Sequence, residues 1–158
     1  MPVTAQSSAA GHSEHTGGMF RRILVAFDGS AGSRRALQAA LVLAKEQGAI
    51  VTSVTVQHHL PRYGATVGEV DEEIQVDDQQ MRRLGNEVAA EAAHHGMQVR
   101  TEVRLGHPAQ EIVHAAQQLD ADLIVIGHSG HSALLDRFLG SIAEKVSRHA
   151  PCSVMIVR

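Results

Sequence analysis

Five β-rich apolar runs alternate with four helical periodicities along this chain, and no other feature narrows its fold as far. RILVAFD (22–28), IVTSVTVQ (50–57), MQVRTEVRL (97–105), DLIVIG (122–127) and CSVMIVR (152–158) read as strands. Between them, Leu37, Leu41 and Ala44, then Met81, Leu84, Val88 and Ala92, then Ile112, Val113 and Ala116, and finally Ile142, Ala143 and Val146 mark helix faces through their three- and four-residue steps. Strands alternating with helices predict an α/β fold with a parallel sheet and helices on both faces. The unbroken apolar run of DLIVIG predicts a strand buried on both sides. The alternation in MQVRTEVRL predicts one half-buried strand. HHLPRYGATVGE (58–69), with its proline and two glycines, reads as a loop.

Right-handed crossovers leave few ways to connect five such strands. The simplest is a Rossmann-like, doubly wound sheet of order 3-2-1-4-5. Ligands of such sheets bind outside the carboxyl ends of the strands, where the strand order reverses. Two segments fall there: Asp28-Gly29-Ser30 after the first strand, and the stretch from Gly127 after the fourth.

That second segment reads GHSGHSALLDRFLGS (127–141). Glycine lets a backbone approach a phosphate closely, and a helix start supplies free N–H donors and a positive dipole end. If residues 131–139 loop out, Gly127 and Gly130 face Gly140 and Ser141 across one anion cradle. A ligand-free reading stands beside this one, with Ser141 and Glu144 forming a capping box and the glycines only shaping a turn. Asp28, Ser30 and Ser33 are likewise candidates for helix caps. Other phosphate motifs are absent: no lysine lies between 127 and 144, as a Walker A loop requires, and the first strand is followed by DGSAGS rather than a dinucleotide fingerprint. GHSGH is close to a nucleophile elbow with Ser129 as nucleophile, but its fifth residue is His131 and only 29 residues follow. Asp136 and His149 are the acid and base left in useful chain order for such a serine hydrolase.

At this point the residues resemble a known family. GHSGHSALLDRFLGS matches the G-x2-G-x9-G-[S/T] pattern of the ATP-binding universal stress proteins, and ILVAFDGS, LGHPA, ADLIVIG and KVSRHAPCSVMIV resemble its other segments. The resemblance covers residues 20–158 as one nucleotide-binding domain. It implies ATP at the switch point and a homodimer formed through the last strand. By position, Asp28 resembles the acidic residue near adenosine and Val56 the residue that packs on adenine. Gly127, Gly130, Gly140 and Ser141 match the phosphate and ribose loop, and Ile126 and Ile142 its apolar neighbours. The chain departs from the family at Thr55-Val56, where many members have His-Val, and carries His128 and His131 within the loop. Near phosphates, those two histidines would strengthen binding when protonated. Mg²⁺ would accompany the phosphates.

Composition narrows the alternatives. The chain has 158 residues, enough for one domain with a self-sufficient core. Residues 1–19 read as a disordered polar tail. A net charge of −3 gives no basic stripe for nucleic acid. No run is long enough to span a membrane, and no secretory signal pattern opens the chain. Cys152 is the sole cysteine, which suits a reducing cytoplasm. Eleven histidines offer no ligand-spaced metal set, and no residue stands out as a catalytic base or nucleophile toward a γ-phosphate. The expected function is an ATP-binding stress-response or signalling module with an unidentified protein partner and at most slow hydrolysis. The alternatives are a dimeric interaction protein that uses no nucleotide and the Ser129 hydrolase.

Overall fold

The computed structural model describes residues 18–57, 67–129 and 139–158, the side chains of 67–76 excepted. The elements are β1 (Arg22–Ala26), α1 (Ala31–Gln47), β2 (Ile50–Gln57), α2 (Val67–His94), β3 (Arg100–Leu105), α3 (Pro108–Gln118), β4 (Leu123–Gly127), α4 (Ser141–His149) and β5 (Ser153–Val157). The strands form one parallel sheet of order β3-β2-β1-β4-β5, the topology expected from the alternation.

Period-two alternation along the central strands builds two cores. Ile23, Val25, Val51, Leu123 and Val125 face α1 and α2, where they meet Leu37, Leu41, Leu84 and Val88. Leu24, Val54, Ile124 and Ile126 face α3 and α4, where they meet Ile112, Ala116, Ala143 and Val146. β1 and β4 lie at the centre of the sheet and are buried on both faces, which is why their sequences are continuously apolar.

Three expectations need correction. The loop assigned to 58–69 is helical from Val67, while 58–66 lies outside the described residues. No glycine or proline interrupts 69–84, so nothing in the sequence breaks the helix before its core-facing residues. The alternation in the third strand also has the opposite sense from the one expected. Val103 and Leu105 are 49% and 62% exposed, while the Glu102 and Arg104 side chains turn inward toward α3 at 17% exposure. Arg104 meets Glu102 at 3.0 Å, Gln118 at 2.7 Å and Glu111 at 3.8 Å, so this edge face is filled by an ion network. β3 also starts at Arg100 rather than at 97, because the chain leaving α2 must reach the outer edge of the sheet before it pairs with Thr52. Met97 and Val99 still pack against the core on the way.

Candidate functional site

The carboxyl ends of β1 and β4 separate at the point where the strand order reverses. β1 continues through Phe27, which is buried, into a turn set by local hydrogen bonds. Asp28 Oδ1 accepts from the Ser30 N–H at 2.9 Å. Gly29 takes a φ of 75°, a left-handed conformation open to glycine without strain. Ser30 is the N-cap of α1, its Oγ accepting from the Ser33 N–H at 3.1 Å. Ser33 Oγ in turn accepts from the Asp28 N–H at 3.3 Å and donates to Ser30 O at 3.0 Å. The capping roles considered for Asp28, Ser30 and Ser33 therefore merge into one closed turn, which holds the Asp28 carboxylate at the cleft.

Across from this turn, β4 ends at Gly127. A Cβ there would lie 2.5 Å from Gly32 C and 2.7 Å from Gly32 O. A Cβ on Gly32 would likewise run into Ser129 O. The first turn of α1 and the exit of β4 thus touch backbone to backbone. The sequence reading gave Gly127 a turn and phosphate role; the structure adds a packing role and a partner, Gly32, that the reading missed. A glycine in the first turn of a predicted helix, costly by propensity, was the available signal.

Beyond Gly127, the His128 N–H donates to Val157 O at 2.7 Å, and His128 O accepts from the Gly140 N–H at 2.8 Å. These two bonds tie the end of β5, the start of the loop and the start of α4 together. The capping box expected from Ser141 and Glu144 does not form. Gly140 is the N-cap and has no side chain to cap with, while the Glu144 carboxylate accepts from Arg148 at 2.8 Å. Among the described residues, no side chain caps the first turn of α4 where it borders the cleft.

The resulting cavity has a volume of about 290 Å³. Val54, Val56, Ile112 and Ile126 give it an apolar end; Asp28, Ser30, Ser33, Ser129 and Ser141 give it polar groups. Of the residues singled out from sequence, Asp28, Val56, Ile126, Gly127, His128, Gly140, Ser141 and Ile142 all line it. His128 is 6% exposed and Ile142 38%. Gly130 and His131, together with the segment expected to loop out, lie outside the described residues apart from Leu139. Pro108 and Ile112 also line the cavity and were not assigned to it from sequence; only the sheet and helix packing brings them there. Among the described residues, no group of three or more His, Cys, Asp or Glu is arranged to hold a metal ion. No described helix is long and apolar enough to cross a membrane.

A five-stranded parallel sheet with helices on both faces and a cleft at its switch point defines a Rossmann-like α/β protein. The universal stress protein family model matches residues 19–158, and the chain belongs to that family. The universal stress protein YxiE of Bacillus subtilis is 37% identical over 153 residues, spanning 89% of this chain and all of that one. A universal stress protein solved in complex with cAMP is 26% identical, with a TM-score of 0.69 over 89% of this chain and 99% of its own. The universal stress protein from Archaeoglobus fulgidus in complex with dAMP is also 26% identical, with a TM-score of 0.65 over 89% of this chain and all of its own.

Proposed function

We propose that this chain is a cytoplasmic, homodimeric ATP-binding module whose nucleotide occupancy biases a surface read by a protein partner. The observation that carries the reading is the start of α4: a glycine N-cap with no side-chain acceptor among the described residues, bordering a cleft with an apolar end and a cluster of hydroxyls. An adenine ring suits the Val54–Val56–Ile126 end, with Asp28 beside it, and the phosphates suit Ser141 and the first turn of α4. Gly130 and His131, which follow Ser129 in the sequence, are proposed to contact the phosphates as well, and Mg²⁺ would accompany them. The cAMP and dAMP complexes of the two relatives support an adenine nucleotide as ligand. Asp28 is the only carboxylate among the described lining residues, and it already accepts from the Ser30 N–H, so hydrolysis is expected to be slow. β5 is an edge strand with half-buried Val154, Met155, Ile156 and Val157, an edge suited to pairing with a second copy. The Ser129 hydrolase reading is disfavoured because His149 sits at the far end of α4 from Ser129, its Nδ1 donating to Lys145 O at 2.9 Å.

Calorimetric titration of nucleotide-stripped protein with Mg-ATP tests the reading, alongside Ser141→Asp. An acidic residue suits the first turn of a helix, so this variant keeps the fold while placing charge against the phosphates. Binding by the parent with a loss of about tenfold or more in the variant, worth ~1.4 kcal/mol, is expected. No binding by a folded parent would favour the interaction protein that uses no nucleotide.

A further inference from the structure

The cleft continues past the start of α4. Pro108, Ser141 and Ile142 also line a second groove, of about 830 Å³, between α3 and α4. Part of that groove is apolar, built from Pro108, Val113 and Ile142. The rest carries His107, His114, Lys145 and His149, and no carboxylate stands among its described lining residues. Each of the two helices has a single acid, and each acid is engaged. Glu111 faces His114 at 3.7 Å and Arg104 at 3.8 Å, and Glu144 accepts from Arg148 at 2.8 Å. The groove therefore joins apolar surface to a polar rim of one lysine and three imidazoles, a mixture of apolar wall and a few convergent polar groups that suits a small ligand. It opens off the cleft through the wall formed by the start of α4.

We propose that the groove receives the distal half of a dinucleoside polyphosphate. The first nucleoside occupies the cleft, the phosphate chain passes over Ser141 and Ile142, and the second nucleoside lies between α3 and α4. Lys145 supplies a fixed charge toward the chain. His149 Nδ1–H donates to Lys145 O, so its Nε2 carries a proton, and can donate to an anion, only as the imidazolium. The assignment rests on the nucleotide reading of the cleft.

The test is calorimetry of the full chain with ATP and with diadenosine tetraphosphate, on the parent and on a His114→Gln/Lys145→Gln variant. Neither substituted residue lines the first cleft, and both lie on exposed helix faces. The parent is expected to bind the dinucleotide about tenfold more tightly than ATP, the effect of ~1.4 kcal/mol of added contacts. In the variant the two affinities converge, with that for ATP unchanged. Equal affinities in a parent that binds ATP overturn this inference alone. A preference that survives in the variant also overturns it, because the second nucleoside then lies elsewhere. A folded parent that binds neither ligand overturns the nucleotide reading and this inference together.

Discussion

Gly127→Ala tests the packing of this glycine against Gly32. At the end of an ordinary strand, replacing glycine by alanine raises stability by roughly 0.5–1 kcal/mol, because the unfolded chain loses freedom. Here the new Cβ would sit 2.5 Å from Gly32 C, 2.7 Å from Gly32 O and 3.0 Å from Gly32 Cα. Comfortable carbon contacts are about 3.5–4.0 Å, so the first turn of α1 must move away from β4 by about 1 Å. All three contacts are backbone atoms, and no rotamer change relieves them. Overpacking of this kind costs about 1–3 kcal/mol. For a domain of this size that corresponds to a Tm lowered by about 2–12 °C. The control is Gly85→Ala in α2, whose Cβ would meet only Thr101 Cγ2 at 4.0 Å and should stabilise. Thermal unfolding of the three proteins side by side, followed by circular dichroism, decides the matter. Because the same movement displaces the Asp28–Ser33 turn from His128 and Ser129, the proposed nucleotide affinity of the cleft should fall with stability. A Gly127→Ala protein as stable as Gly85→Ala would refute the argument.

Other outcomes follow from the same structure. Arg104→Ala should destabilise by about 1–3 kcal/mol in urea unfolding, because it strips the half-buried Glu102 and Glu111 of a shared cation. Glu87 hydrogen-bonds Arg34 across α1 and α2, with Arg34 Nη2 3.2 Å from Glu87 Oε2, and this bond holds its carboxyl below the ordinary value. Stability from a depressed carboxyl is present above its unfolded pKa and lost as pH falls through the folded one. The Tm deficit of Glu87→Gln should therefore be small at pH 7 and close as the pH is lowered through the carboxylate range. Burial first, and then the Asp122 charge, push the Cys152 thiol up from its ordinary value. Iodoacetamide at pH 8 should accordingly label the folded protein many times more slowly than the urea-unfolded chain, and equal rates would contradict the burial.

The legible parts of this sequence are those where one local rule acts alone. Ile23 to Val25 and Leu123 to Ile126 read as central strands because burial on both faces leaves no room for a polar residue. Ser30 read as a cap because a side-chain oxygen at that spacing has few other local uses. The third strand misled, because alternation says which residues share a face but not which face is covered. Glu102 and Arg104 turn inward only because Glu111 and Gln118 of α3 stand opposite them. The capping box, the ligand-free alternative, fails for a similar reason: Ser141-x-x-Glu144 is a permissible pattern, but Gly140, held by its bond to His128 O, already starts the helix.

By itself the sequence determined the order of elements, the two-sided burial of the central strands and hence the switch point, since periodicity and crossover handedness are properties of the chain. It also marked eight of the residues around the cleft, because glycine spacing and a helix start are local signals. Only the tertiary structure decided what those glycines touch. The contact of Gly127 with Gly32 joins residues 95 positions apart, and no local rule specifies which backbone a missing Cβ makes room for. The same holds for the groove between α3 and α4: its histidines and lysine are scattered over residues 107–149 and meet only because two helices pack against one face of the sheet.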